Sequence, residues 1–255
     1  MTDQPVLTER RGNVLLITLN RPDARNAVNL ALAEGVAAAL DELDAAADLS
    51  VGILTGAGKA FCAGMDLKAF VTGERPWVGD RGFAGIVQRS SRKPLIAAIE
   101  GFAVAGGLEM ALACDLIVAS REAKLGVPEV KRSLVAAGGA LLRLPQRVGH
   151  GAAMRLVLTG DPITAEEGAK IGLVDELADA GGAVDAALDL AATISANAPL
   201  ALIASKEVLL AQRDWSEEEF WVKQGEITGP VFTSEDATEG ATAFAEKREP
   251  VWKGR

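Results

Sequence analysis

A chain of 255 residues that is 49% hydrophobic and 24% charged is long enough to bury one sizeable core. Its net charge of −9 excludes a general nucleic-acid binder, which needs clustered Lys and Arg against phosphates, but leaves room for a small anionic ligand. Two cysteines exclude a disulfide framework, and Cys62 and Cys114 lie in apolar, glycine-rich segments that predict buried free thiols. No apolar run approaches the ~20 residues of a membrane span, and the polar start Met1-Thr2-Asp3-Gln4-Pro5 is unlike a signal peptide. The expectation is a cytoplasmic protein with no membrane partner.

In chain order, Val14 to Leu19 reads as a short apolar strand. Leu30, Ala33, Ala37, Leu40 and Leu43 then mark one face of a helix whose other face carries Glu34, Asp41, Glu42 and Asp44. Val51 to Leu54 is the next strand, followed by a glycine-rich loop from Thr55 to Leu67. A polar stretch from about Thr72 to Arg81 carries Pro76 and Trp77 and is expected to be irregular and mobile. Leu95 to Ile99 and Leu116 to Ala119 read as buried strands separated by a helical run, Leu108 to Cys114. From Gly138 the pattern is helical, with breaks at Gly160-Asp161-Pro162, Gly181-Gly182 and Pro199. The whole is an α/β core followed by helices.

Two glutamates carry the functional signal. Glu109 follows Gly106-Gly107 where strand gives way to helix, which puts it in a first helical turn beside unpaired N–H groups. Glu129 follows Pro128, whose ring restricts the backbone before it. A first-turn glutamate can be a macrodipole partner only, or it can move protons beside an oxyanion-binding backbone. The loop Thr55-Gly56-Ala57-Gly58-Lys59-Ala60 fails as a phosphate loop, because Ile53 stands five residues before Gly58 and Ala60 follows the lysine. It fails as a dinucleotide fingerprint too, since Phe61 occupies the third glycine position. The single histidine, His150, has no matched nucleophile or metal-ligand spacing, and Cys62 has no histidine partner, so serine-hydrolase, thiol and zinc chemistry drop out.

Taken together, Leu19-Asn-Arg-Pro22 with Arg25-Asn-Ala27, Phe61 to Lys68, Gly101 to Glu109 with Cys114-Asp115, and Pro128-Glu129 closely resemble the crotonase superfamily, the enoyl-CoA hydratase and isomerase family. Arg143-Leu-Pro145, Leu158-Thr-Gly160, Gly172-Leu-Val174 and Phe244 to Arg248 extend the match nearly end to end. The resemblance implies a spiral of ββα units over residues 1–195 and a helical oligomerisation region over 196–255, assembled as a trimer or a dimer of trimers. No fixed-period repeat is visible in the sequence itself.

The implied reaction is hydration of a 2-enoyl-CoA thioester in fatty-acid β-oxidation, with isomerisation, carnitinyl-CoA-type dehydration, thioester hydrolysis or plain acyl-CoA binding as alternatives. Coenzyme A is part of the substrate, and neither a separate cofactor nor a metal is implied. Carried over by position, the oxyanion donors are the backbone amides of Met65 and Gly106. Glu109 activates the water and Glu129 delivers the proton. CoA contacts fall to Arg25, Lys59, Ala63, Asp66, Leu67 and Lys68, with Lys247 reaching a neighbouring subunit's ligand. Ser133 to Gly139 departs from the family's Pro-Gly-Ala-Gly-Gly run, and Ala105 stands where a third glycine is frequent. The Ala137 amide is expected near the water, while Met65, Phe70, Trp77 and Phe83 read either as acyl-pocket wall or as plain core.

Overall fold

The computed structural model describes residues 4–255. A hairpin opens the chain, β1 (Val6–Arg11) and β2 (Val14–Leu19), turned at Gly12, whose φ of +61° is a left-handed value that glycine takes without a Cβ clash. Helix α1 (Leu30–Ala45) starts where the Asn29 side chain accepts from the Leu32 amide. Then come β3 (Val51–Gly56), the short α2 (Leu67–Val71), and a small hairpin of β4 (Trp77–Val78) and β5 (Gly82–Phe83). The middle of the chain holds β6 (Leu95–Ile99), β7 (Phe102–Val104), α3 (Gly106–Leu112), β8 (Leu116–Ser120) and β9 (Lys124–Gly126). After a 3-10 helix at Pro128–Arg132 follow α4 (Ala140–Val148), α5 (His150–Thr159), β10 (Ile163–Thr164), α6 (Ala165–Lys170), β11 (Glu176–Ala178) and α7 (Ala183–Ser195). The chain closes on α8 (Pro199–Ala211), α9 (Glu217–Phe232) and α10 (Glu235–Glu246).

The main sheet has six strands in the order β1-β2-β3-β6-β8-β11, antiparallel only in its first pair. A second layer runs β10-β9-β7, and isolated parallel bridges carry it on from Ala103 to Cys62 and from Met65 to Val28. Each turn of the chain therefore gives one strand to the large sheet and the next extended segment to the second layer. This is a ββα spiral, and the turns differ in length: one runs from Leu95 to Leu116, the next from Leu116 to Glu176.

Both faces of the large sheet are covered, which is why its central strands read as unbroken apolar runs. Leu15, Ile17 and Leu19 of β2 face the core that contains Leu32, Val36, Leu40 and Leu43 of α1. Val14 and Leu16, one pleat out of phase, face Ala183, Ala187 and Ala191 of α7 across Val51, Ile53, Ile96 and Val118. Alanines four residues apart present a flat stripe that lets α7 lie close over the sheet.

Several elements differ from the sequence expectation. β1 is almost wholly exposed and carries Glu9, Arg10 and Arg11, so no apolar alternation announces it; as an edge strand it is blunted by charge. The region from Gly138, expected to be helical, also contains β10 and β11, the latter closing the far edge of the main sheet. The stretch expected to be irregular to Arg81 instead forms β4 and a 3-10 turn over Gly79–Arg81. Arg81 is only 2% exposed; Nη1 donates to the carbonyls of Arg89 (2.9 Å) and Ser90 (3.1 Å), and Nη2 donates to Asp41 Oδ1 of α1 (2.5 Å). Among the described residues, no single helix is long and apolar enough to cross a membrane.

The alanine stripe of α7 gives a direct test of this packing. Ala187→Leu forces extra methylenes between helix and sheet and should lower the unfolding free energy by ~1–3 kcal/mol, read as a lower urea midpoint at unchanged slope.

Candidate active site

Two backbone segments meet at the heart of the spiral. The first, Cys62 to Asp66, is held by the loop before α1: the Ala63 amide donates to the Arg25 carbonyl (3.1 Å), the Val28 amide to the Gly64 carbonyl (2.8 Å) and the Asp66 amide to the Val28 carbonyl (2.9 Å). Because extended backbone alternates, engaging Asp66 toward Val28 turns the Met65 N–H the other way. The second segment is the start of α3, where the Gly106 N–H is one of the helix's orphan donors. Among the described residues neither amide has an acceptor.

Their closeness depends on glycine. A Cβ on Gly64 would stand 3.0 Å from Gly106 N and 2.8 Å from the Ala105 methyl, and a Cβ on Gly106 would be driven to 2.6 Å from the Phe83 ring. Ala105 itself sits at φ +53°, ψ −132°, a backbone region that costs a residue with a side chain ~1–3 kcal/mol. The strain lies immediately before the Gly106 donor.

Met65, Gly106, Glu109 and Glu129 all line one cavity of about 370 Å3. Glu109 projects from the first turn of α3 and is 3% exposed. Its Oε1 accepts from the Ala140 amide (3.2 Å), and Gly138 lies so close that a Cβ there would come within 2.5 Å of Oε2. Burial pushes the Glu109 carboxyl from the ordinary 4.5 up to about 7; the charge of Glu129 adds to the rise, while the Ala140 and Gly138 amides and Arg143 oppose it. Glu129, second residue of the Pro128–Arg132 helix, is also raised by burial, against its own backbone amide and Arg132. Its buried Oε2 has no hydrogen-bond partner. A pair of carboxyls poised above their usual range beside two free N–H donors can exchange protons with a bound molecule while a developing oxyanion is stabilised.

Of the remaining sequence candidates, Arg25, Ala63 and Leu67 line the same cavity, as do Trp77 and Phe83, whose rings meet edge to face at 5.3 Å. Phe70 does not; its ring lies 4.2 Å under the Arg75 guanidinium instead. Lys59, Asp66, Lys68 and Lys247 stand outside the cavity wall of their own chain. The Asp66 carboxylate is committed to capping α2, accepting from the Lys68 (3.1 Å) and Ala69 (3.3 Å) amides and pairing with Arg21 (3.0 Å). Lys247 is the exposed left-handed cap that ends α10.

Ala137 lines the same cavity, and its amide donates to the Val135 carbonyl (2.8 Å). The amides turned to the carboxyl belong to Gly138 and Ala140. His150 merely opens α5, and Cys62 and Cys114 are buried free thiols, with burial pushing the Cys62 thiol up to about 12. Sequence reasoning left out Phe102, Val104, Arg132, Leu134 and Val135 as cavity wall. Phe102 and Val104 belong to the three-residue β7, too short for a period-two signal, and Arg132 lies three residues past Glu129 on one helical turn.

Residues 9–255 match the family model described as enoyl-CoA hydratase/isomerase. The chain is 42% identical to enoyl-CoA hydratase EchA19 of Mycobacterium tuberculosis, covering 98% of this chain and 96% of that one. It is 41% identical to a carnitinyl-CoA dehydratase of Salmonella arizonae, over 96% of this chain and 97% of the relative. The crystal structure of enoyl-CoA hydratase EchA1 from Mycobacterium marinum superposes with a TM-score of 0.97 at 55% identity, covering 99% of this chain and 100% of that one. With a spiral of ββα turns, two carboxyls and two free amides on one cavity, and a likeness that runs the length of the chain, this protein belongs to the enoyl-CoA hydratase/isomerase family and has the crotonase fold.

Proposed function

We propose that the protein is an enzyme that adds water across the 2,3 double bond of an acyl-CoA thioester. The observation that carries this reading is the convergence of the unpaired Met65 and Gly106 amides with two carboxyls of raised pKa on one cavity. The thioester oxygen lies between the two amides. As water attacks the β-carbon, electrons move toward that oxygen, and the enolate-like charge is met by two fixed donors. Glu109, ionised, takes a proton from the water; Glu129, protonated, gives one to the α-carbon. The two form a coupled pair, so either can hold the remaining proton between turnovers. Run backwards, the same groups dehydrate a 3-hydroxyacyl thioester, a direction supported by the likeness to a carnitinyl-CoA dehydratase.

Arg25 beside the cavity mouth, with Lys59 and Lys68 outside the wall, provides the cations for CoA phosphates, while backbone at Ala63, Asp66 and Leu67 receives the rest of the CoA moiety. Trp77, Phe83 and Met65 face the acyl chain. The assembly is a trimer or a pair of trimers built through residues 196–255, with Lys247 serving a neighbour's ligand; the exposed Trp221, Phe232 and Phe244 of α9 and α10 support that assembly.

Glu109→Gln and Glu129→Gln should each lower kcat by ~10²–10⁴-fold while CoA-thioester binding, read by titration, stays near normal. Wild-type turnover by either variant would overturn the two-carboxyl mechanism. The hydration kcat/KM of the wild type should rise with pH through about 7 as Glu109 ionises. A flat profile across that range would count against the Glu109 assignment.

The same titration has a stability side. Glu109 has a folded pKa above its unfolded one, so its contribution is complete below 4.5 and is lost as pH rises through about 7. Glu109→Gln should therefore be the more stable protein at pH ~8, by up to about 3 kcal/mol, with the difference vanishing in acid. Urea melts at the two pH values read it. Light scattering at micromolar concentration tests the assembly: a clean monomer that still turns over substrate would refute both the trimer and the shared Lys247.

A further inference from the structure

Asn26 is a fully buried polar residue in the left-handed region at φ +55°, and every hydrogen bond of its side chain is made inside the protein. Its Oδ1 accepts from the Arg21 amide (2.9 Å), and Nδ2 donates to the carbonyls of Ala57 (3.0 Å) and Ala60 (2.7 Å). The loop before α1 is thus fastened to the loop that leads into Cys62. The contact is close enough that a Cβ on Gly56 would come within 2.8 Å of Nδ2.

The Asn26 carbonyl continues the chain of contacts. Cys62 Sγ donates to it (3.1 Å) and itself accepts from the Gly64 amide (3.3 Å). Cys62 N donates to the Phe102 carbonyl (3.2 Å), Ala63 N to Arg25, and Asp66 N to Val28. From Cys62 to Asp66 every backbone N–H therefore has an acceptor save that of Met65.

The same cysteine reaches the second arm. Its carbonyl accepts from the Val104 amide (3.1 Å), and its Cβ would lie 2.9 Å from a Cβ placed on Gly107, the residue after the Gly106 donor. Burial keeps the thiol protonated across the neutral range, so the S–H donor persists at working pH.

We infer that Asn26 and the Cys62 thiol are positioning residues of the oxyanion hole: together they aim the Met65 N–H and fix its arm against the one that aims Gly106. The inference rests on reading those two amides as the thioester donors. It differs from a general packing role because losing the thiol releases the Gly64 amide beside the Met65 donor, and losing the Asn26 side chain unfastens the loop that leads into Cys62, while the Val28–Gly64 bond, the cavity wall and both glutamates remain.

The test uses full-length Cys62→Ala, Cys62→Ser and Asn26→Gly, the last chosen because glycine takes the left-handed backbone and removes only the side chain. Steady-state rates are measured on the 2-enoyl-CoA thioester the wild type turns over fastest in a chain-length panel. In parallel, 4-dimethylaminocinnamoyl-CoA is bound to each protein, since its absorbance moves to the red when the thioester carbonyl is polarised. Cys62→Ala and Asn26→Gly should lower kcat by roughly 10- to 100-fold, leave KM within about two-fold, and lose most of the red shift. Cys62→Ser, which keeps a donor and an acceptor, should restore part of both. A Cys62→Ala protein that melts cooperatively and keeps wild-type kcat and the full red shift overturns the inference and leaves the donor reading standing. Absence of any red shift in the wild type overturns the donor reading itself. The two Cys62 variants decide the question if Asn26→Gly does not fold.

Discussion

The close approach of two loops, Gly64 against the Ala105-Gly106 peptide, is the constraint on which the site depends. With no side chain at Gly64, the extended segment carrying Met65 can lie against the first turn of α3, and two backbone donors that would otherwise face solvent end up on one cavity. Around Met65 the amides of Cys62, Ala63, Gly64 and Asp66 are all engaged, so its free state is enforced by the pairing around it rather than left to chance. An unsatisfied buried N–H carries a desolvation cost of ~1–3 kcal/mol, and Ala105 adds backbone strain beside it. These costs are offset by the doubly covered sheet, whose central strands and covering helices bury apolar side chains on both faces. The stable part of the molecule supports a site that is locally unfavourable.

The carboxyls obey the same logic. Buried carboxyls ionise reluctantly, and two that share a cavity make each other more reluctant still. Glu109 is kept near neutrality in pKa, rather than far above it, by the amides of Gly138 and Ala140 and by the positive charge of Arg143. The turn from Val135 to Ala140 therefore acts on the site through its backbone even though its side chains are small: its amides set how readily Glu109 gives up its proton.

Much of this was legible in the sequence where chemistry and periodicity coincide. Val14 to Leu19, the apolar stripe of α1, β3, β6 and β8 read directly, because strands buried on both faces and a one-sided helix leave distinct patterns. Glu109 could be placed in a first helical turn from Gly106-Gly107 alone, and Met65 and Gly106 follow from family likeness. What could not be read depends on distant partners. β1 is polar, β7, β9 and β11 have three residues each, and their strand character comes from neighbours in other turns. The spiral repeat is hidden because its turns are unequal. Asn26 looked like part of a motif with no assigned task; its role as a fastener appears only once Ala57, Ala60 and Cys62 are beside it.

The β4–β5 hairpin also has an implication for how this enzyme scaffold can diverge. Its two aromatic residues are not equivalent. Phe83 rests on Gly106, so changing its size or shape alters the support of a backbone donor. Trp77 meets Phe83 edge to face, and its hairpin is tethered through Arg81 to α1 rather than to the elements that bear the glutamates. Substitution at Trp77 thus acts first on the cavity wall, whereas substitution at Phe83 acts on the wall and on the support of Gly106 at once. The first position is therefore the freer of the two to vary, and the second the more constrained.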